Sequence, residues 1–134
     1  MNTSTIINID SIIGELRDEI QNLKPRYKVY TALMSQSNSD NPVVKVLHNT
    51  LGNIVWTRDQ EGIYIGTLSG RFTHNKTVCF ATPGSYDGNS VGEINMCTVD
   101  VNTVQITVYD TSGGNTDFLT GGAFEVSIEI KVYY

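Results

Sequence analysis

The chain has 134 residues, 40% of them hydrophobic and 17% charged, and carries a formal net charge of −5. That length suits one domain able to bury a core without disulfides or metals, and the composition excludes a disordered chain. An acidic chain whose densest run of cations is Lys24, Arg26 and Lys28 lacks the footprint of a nucleic-acid binder, so no such partner is expected. Asn, Thr, Ser and Gly fill the surface where charge is missing, a composition found in assembled β-proteins.

Residues 1–8 are polar and read as frayed or extended. Asn8 or Asp10 offers a side-chain cap to the helix that follows, and Pro25 ends it by pushing Lys24 out of the α region. Between them Ile9, Ile13, Leu16, Ile20 and Leu23 recur at alternating spacings of four and three, a heptad seam. A helix of about 15 residues is marginal alone in water and must bury its stripe. Two partners suit it: its own β-domain, or the same helix in neighbouring subunits. The stripe is narrow, widened only by Ile12, and a narrow seam favours the second. Residues 1–25 thus read as an anchor and oligomerisation helix, and 26–134 as a β-head.

Strand-like runs follow at 26–35, 43–49, 53–58, 62–70, 76–84, 91–99, 102–110 and 123–134. The last alternates most cleanly: Phe124, Val126, Ile128, Ile130, Val132 and Tyr134 face one way, and Glu125, Ser127, Glu129 and Lys131 the other. Eight strands without intervening helices predict a two-sheet antiparallel sandwich or jelly roll, with the runs at 91–99 and 102–110 paired and the last strand beside the first. Trp56 alternates as a core residue would.

Chemistry-bearing patterns are absent. His48 and His74 stand apart from any carboxylate or cysteine at ligand spacing, and no nucleophile elbow, zinc-protease, P-loop or dinucleotide-binding motif occurs. Cys79 and Cys97 lie far apart in strand-like runs, as small hydrophobes rather than a disulfide framework. Asp110, Asn115 and Asp117 in "DTSGGNTD" have the oxygens to wrap a hard cation, but a plain flexible loop is the simpler reading. No catalytic residue, metal or cofactor is expected. The start of the chain shows no secretory signal, and no apolar run is long enough to span a membrane, so synthesis in a cytoplasm and no membrane partner are expected.

The stretch "YKVYTALMSQSNSDNPVVKVLHNTLGNIVWTRDQEGIYIGTLSGRFTHNKT" resembles a β-module of tailed-bacteriophage virion proteins, found in fibre and other structural proteins of crAss-like phages of Bacteroidota. The likeness covers about residues 26–77; beyond them only generic strands and loops correspond. It implies a non-enzymatic structural protein, often trimeric, with a short N-terminal stem and a C-terminal β-head, located in the virion. The stem is too short for a long tail-fibre shaft, so a head fibre or capsid-decorating protein fits better. Under that reading Asn2, Ile6 and Ile7 dock to a capsid or other virion protein, and the seam joins the copies. The alternative is a receptor- or glycan-binding tip whose distal loops, with Tyr86, Asp87, Asn115, Asp117 and Phe118, meet a host-surface glycan.

Overall fold

The computed structural model describes residues 3–83, 91–117 and 125–134. One helix, α1 (Thr3–Leu23), precedes eight strands: β1 (Tyr27–Ser35), β2 (Val43–Asn49), β3 (Val55–Gln60), β4 (Ile63–Thr67), β5 (Thr77–Pro83), β6 (Val91–Thr98), β7 (Thr103–Asp110) and β8 (Val126–Tyr133). They form two four-stranded antiparallel sheets, ordered β2-β1-β8-β5 and β3-β4-β7-β6, packed as a β-sandwich. The last strand does lie beside the first, with Tyr30 opposite Ile130 and Ala32 opposite Ile128, and β6 pairs with β7.

The alternation in the sequence becomes the inner face of each sheet. β8 sends Val126, Ile128, Ile130 and Val132 inward, β1 sends Tyr30, Ala32 and Met34, and β7 sends Val104, Ile106 and Val108, all buried. Trp56 on β3 is buried too, and its indole N–H donates to the Tyr30 hydroxyl at 3.2 Å, joining the two sheets through the core. The cross-strand partner of Trp56 is Gly66, where an added Cβ would lie 2.9 Å from the indole ring. Glycine inside this strand therefore makes room for the tryptophan.

Three of the boundaries that differ from the sequence expectation have a visible cause. The helix starts at Thr3 and runs 21 residues, so Asn8 and Asp10 lie inside it rather than capping it. No Gly or Pro interrupts residues 3–9, and extending an existing helix costs far less than starting one. β3 starts at Val55, because Ile54 before it is turned into the core from the loop. β4 stops at Thr67 rather than 70: the Leu68 and Gly70 N–H groups donate to the Asn102 backbone and side-chain oxygens, and Phe72 beyond them plugs one end of the sandwich.

The two cysteines also separate. Cys79 faces Ile130 and packs against the core, where burial, with a smaller contribution from Cys97, pushes its thiol pKa up to about 11. Cys97 is exposed, because β6 pairs Met96 with inward Ile106 and so places Cys97 with Gln105 on the other face. It is therefore not the core hydrophobe its strand-like setting suggested.

Replacing Ile130 by Asp puts a carboxylate on a fully buried position of the strand between β1 and β5. The loss of apolar burial and the desolvation of the acid together exceed about 4 kcal/mol, and we expect no cooperative unfolding transition in a chemical denaturation series of Ile130→Asp.

Candidate functional site

α1 stands off the sandwich, with every residue from Thr3 to Leu23 whose side chain is described exposed. The seam residues lie there in the open: Ile9 is 39% exposed, Ile13 41%, Leu16 52%, Ile20 57% and Leu23 82%. The extra turns add Ile6, which stands three residues before Ile9 and continues the stripe at spacings of 3, 4, 3, 4 and 3. The seam is thus close to three heptads long, and a helix of 21 residues extends about 31 Å. Ile6, expected in a separate docking segment, belongs to this stripe; Asn2 and the side chain of Ile7 lie outside the described residues.

The helix leaves the sandwich at the end where the chain finishes, and we call this end the root. The Tyr134 N–H donates to the Arg26 carbonyl at 3.1 Å, and the rings of Tyr27 and Tyr133 lie 5.3 Å apart. Lys131 sits 4.9 Å above the Tyr27 ring and is held by Glu129 at 3.1 Å. The loop between β4 and β5 brings Arg71 and Lys76 to the same end, lining a groove with Lys28, Tyr133 and Tyr134. Six of the nine Lys and Arg residues therefore gather at the root: Lys24, Arg26, Lys28, Arg71, Lys76 and Lys131. The sequence showed only the first three as a group, since the others are brought in by strand pairing.

The opposite, distal end is acidic. A groove there is lined by Glu93, Tyr109, Asp110, Thr111 and Gly113. Of the expected binding-loop residues, Tyr86, Asp87 and Phe118 lie outside the described residues. Asn115 is exposed and bridges back to Tyr109. Asp110 folds its own turn: its Oδ1 accepts the Ser112 and Gly114 N–H groups at 2.8 and 2.9 Å. Residues 110–117 thus form a hydrogen-bonded turn. No cluster of three or more metal-ligating side chains occurs among the described residues.

Asp117 is a structural anchor in this arrangement. Its carboxylate accepts Arg58 Nε at 3.1 Å and Nη2 at 2.9 Å, the Gly62 N–H at 3.0 Å and the Tyr64 hydroxyl at 2.7 Å. That hydroxyl also lies 2.6 Å from Gln36 Oε1, and its single proton serves the carboxylate, the stronger acceptor. Gly62 has φ +74, and a Cβ there would meet backbone atoms of Val108 and Thr116 at 2.8 Å, so only glycine lets the β3–β4 turn reach this loop. Nothing in the spacing of Arg58 and Asp117, 59 residues apart, announces the pair.

Compared with known proteins, the chain matches no family model, no curated protein and no solved structure.

Burial by itself raises the Asp117 pKa, but the hydrogen bonds from Arg58, Gly62 and Tyr64, with the Arg58 charge, outweigh it and hold the carboxyl below its ordinary range. A depressed folded-state pKa gives stability that is fully present above the unfolded value of about 3.9 and is lost as the pH falls through the folded value. We expect Asp117→Asn to lower stability at pH 7 by about 2 kcal/mol. Its stability should also fall less steeply than the wild type's below about pH 4. Urea denaturation at several pH values measures both.

Proposed function

We propose that this chain is a non-enzymatic structural protein of a tailed-bacteriophage virion, a head-fibre or capsid-decorating protein acting as a homotrimer. The observation that carries the reading is the exposed stripe of α1. A helix with seven large apolar residues in the open, six of them on the seam, is unstable as an isolated element, and its heptad spacing suits a second copy of itself. Each such side chain contributes roughly 1.5–3 kcal/mol when fully buried, enough in sum to offset the cost of association. The resemblance of residues 26–77 to a phage β-module supports the virion assignment and the choice of three copies. In this reading the first turns of the helix reach the shell and the sandwich points away from it.

A second reading, a glycan-binding tip, draws on the distal groove, where Tyr109 offers a ring face and Glu93 and Asp110 offer oxygens for sugar hydroxyls. Glycan-array binding that disappears in Tyr109→Ala would favour it over a purely structural role.

The stem reading is tested by light scattering on the full chain. We expect three times the chain mass for the wild type and a single-chain mass for Ile20→Asp, with the thermal unfolding of the sandwich retained, because Ile20 is outside its core. A single-chain mass for the wild type would overturn the proposal.

A further inference from the structure

We infer that the root of the sandwich is a binding site for a carboxylated polysaccharide, held by Lys28, Arg71 and Lys76 and stacked on Tyr134. One chain supplies the whole site, which therefore does not depend on self-association.

The charge of this protein is unevenly spread. The chain is acidic overall, yet Lys28 from β1 and Arg71 and Lys76 from the β4–β5 loop line one groove of about 290 Å³. The ion pairs among the described residues join Arg58 to Asp117 and Lys131 to Glu129, which leaves these three cations without a carboxylate among those residues. Asp100, in the adjoining β6–β7 turn, is engaged by that turn: its Oδ1 accepts the Asn102 N–H at 2.7 Å and the Thr103 hydroxyl at 2.8 Å. Like charges gathered without a counter-ion repel one another, and a multivalent anion relieves that repulsion.

The cations stand on a fixed frame. The Leu68 and Gly70 N–H groups donate to the Asn102 backbone and side-chain oxygens at 2.9 and 2.8 Å, and the Phe72 N–H donates to the Val101 carbonyl at 2.9 Å. Phe72, next to Arg71, is buried. The Lys76 carbonyl accepts the Tyr133 N–H at 2.9 Å, which ties the loop to β8. A backbone already ordered in this way loses little freedom when a ligand binds.

Tyr134 indicates the kind of anion that fits. It is 74% exposed and borders both this groove and a second one of about 550 Å³, to which Lys24 and Arg26 contribute. Five cations thus line two grooves that meet at one aromatic residue, more than a single oxyanion needs. A sugar lays its C–H face on a tyrosine ring and offers hydroxyls to Thr73 on the groove wall. Its carboxylate meets the planar fork of Arg71 and the lysine ammonium groups. An acidic peptide would gain most by adding a strand, but β1 and β8, which wall the groove, are already paired on both sides. The net charge of −5 disfavours a nucleic acid.

Fluorescence polarisation of a labelled oligogalacturonate with the full chain tests this. We expect saturable binding that neutral dextran does not displace and that weakens as salt is raised, because exposed ionic contacts are screened. Arg71→Ala combined with Lys76→Ala should weaken it by about tenfold. Both side chains are exposed, so the melting temperature of that variant should stay unchanged. Tyr134→Ala should weaken binding several-fold with the same response to salt, since the ring carries no charge. Absence of binding to the wild type, or undiminished binding to the Arg71 and Lys76 double variant, would overturn the inference. Loss of binding in Tyr109→Ala would move it to the distal groove and also overturn it. Equally tight binding of polyglutamate, or unchanged affinity in Tyr134→Ala, would overturn the sugar and leave an acidic protein as the partner.

Discussion

β8 holds the molecule together. It lies between β1 and β5, donating and accepting backbone hydrogen bonds on both sides, and its inward row of Val126, Ile128, Ile130 and Val132 is buried throughout. Its partner β1 lies roughly 100 residues away in the chain, so the first sheet cannot close until the last strand is in place. The long loop-closure entropy of that pairing is repaid only when the second sheet covers the row, through Val104, Ile106 and Val108. The Trp56–Tyr30 hydrogen bond then ties the outer strand of the second sheet to the first.

That same pairing decides where the ends of the chain go. An antiparallel β1–β8 ladder puts the start of β1 and the end of β8 at one end of the sandwich, with Tyr27 opposite Tyr133. The helix therefore leaves from beside the C-terminal residues, and the aromatic and cationic side chains of both termini collect there. Acidic and hydrogen-bonded turns are left to the far end, where Asp117 ties together Arg58, Gly62 and Tyr64. The two ends of the sandwich thus differ in chemistry.

Most of the strands were legible because a half-buried strand writes its burial into a period of two. The run 126–132 shows this, and the observed burial follows it residue by residue. The helix was legible in kind but not in length: its apolar spacing is unmistakable from Ile9 to Leu23, whereas polar Thr3, Ser4 and Thr5 carry no periodic signal. Cys97 was misplaced because a strand-like run does not say which of its faces is covered, and only the pairing of Met96 with Ile106 settles that.

The sequence by itself determined the order of helix and strands, the inward rows, and the amphipathic seam, since these depend on local spacing and on which side chains avoid water. The tertiary structure decided what spacing cannot encode. It placed the seam away from the sandwich rather than on it, gathered Arg71, Lys76 and Lys131 to the cations near Lys24, and turned Asp117 from a loop carboxylate into an anchor. Each of these joins residues tens of positions apart, and such contacts exist only once the strands have chosen their partners.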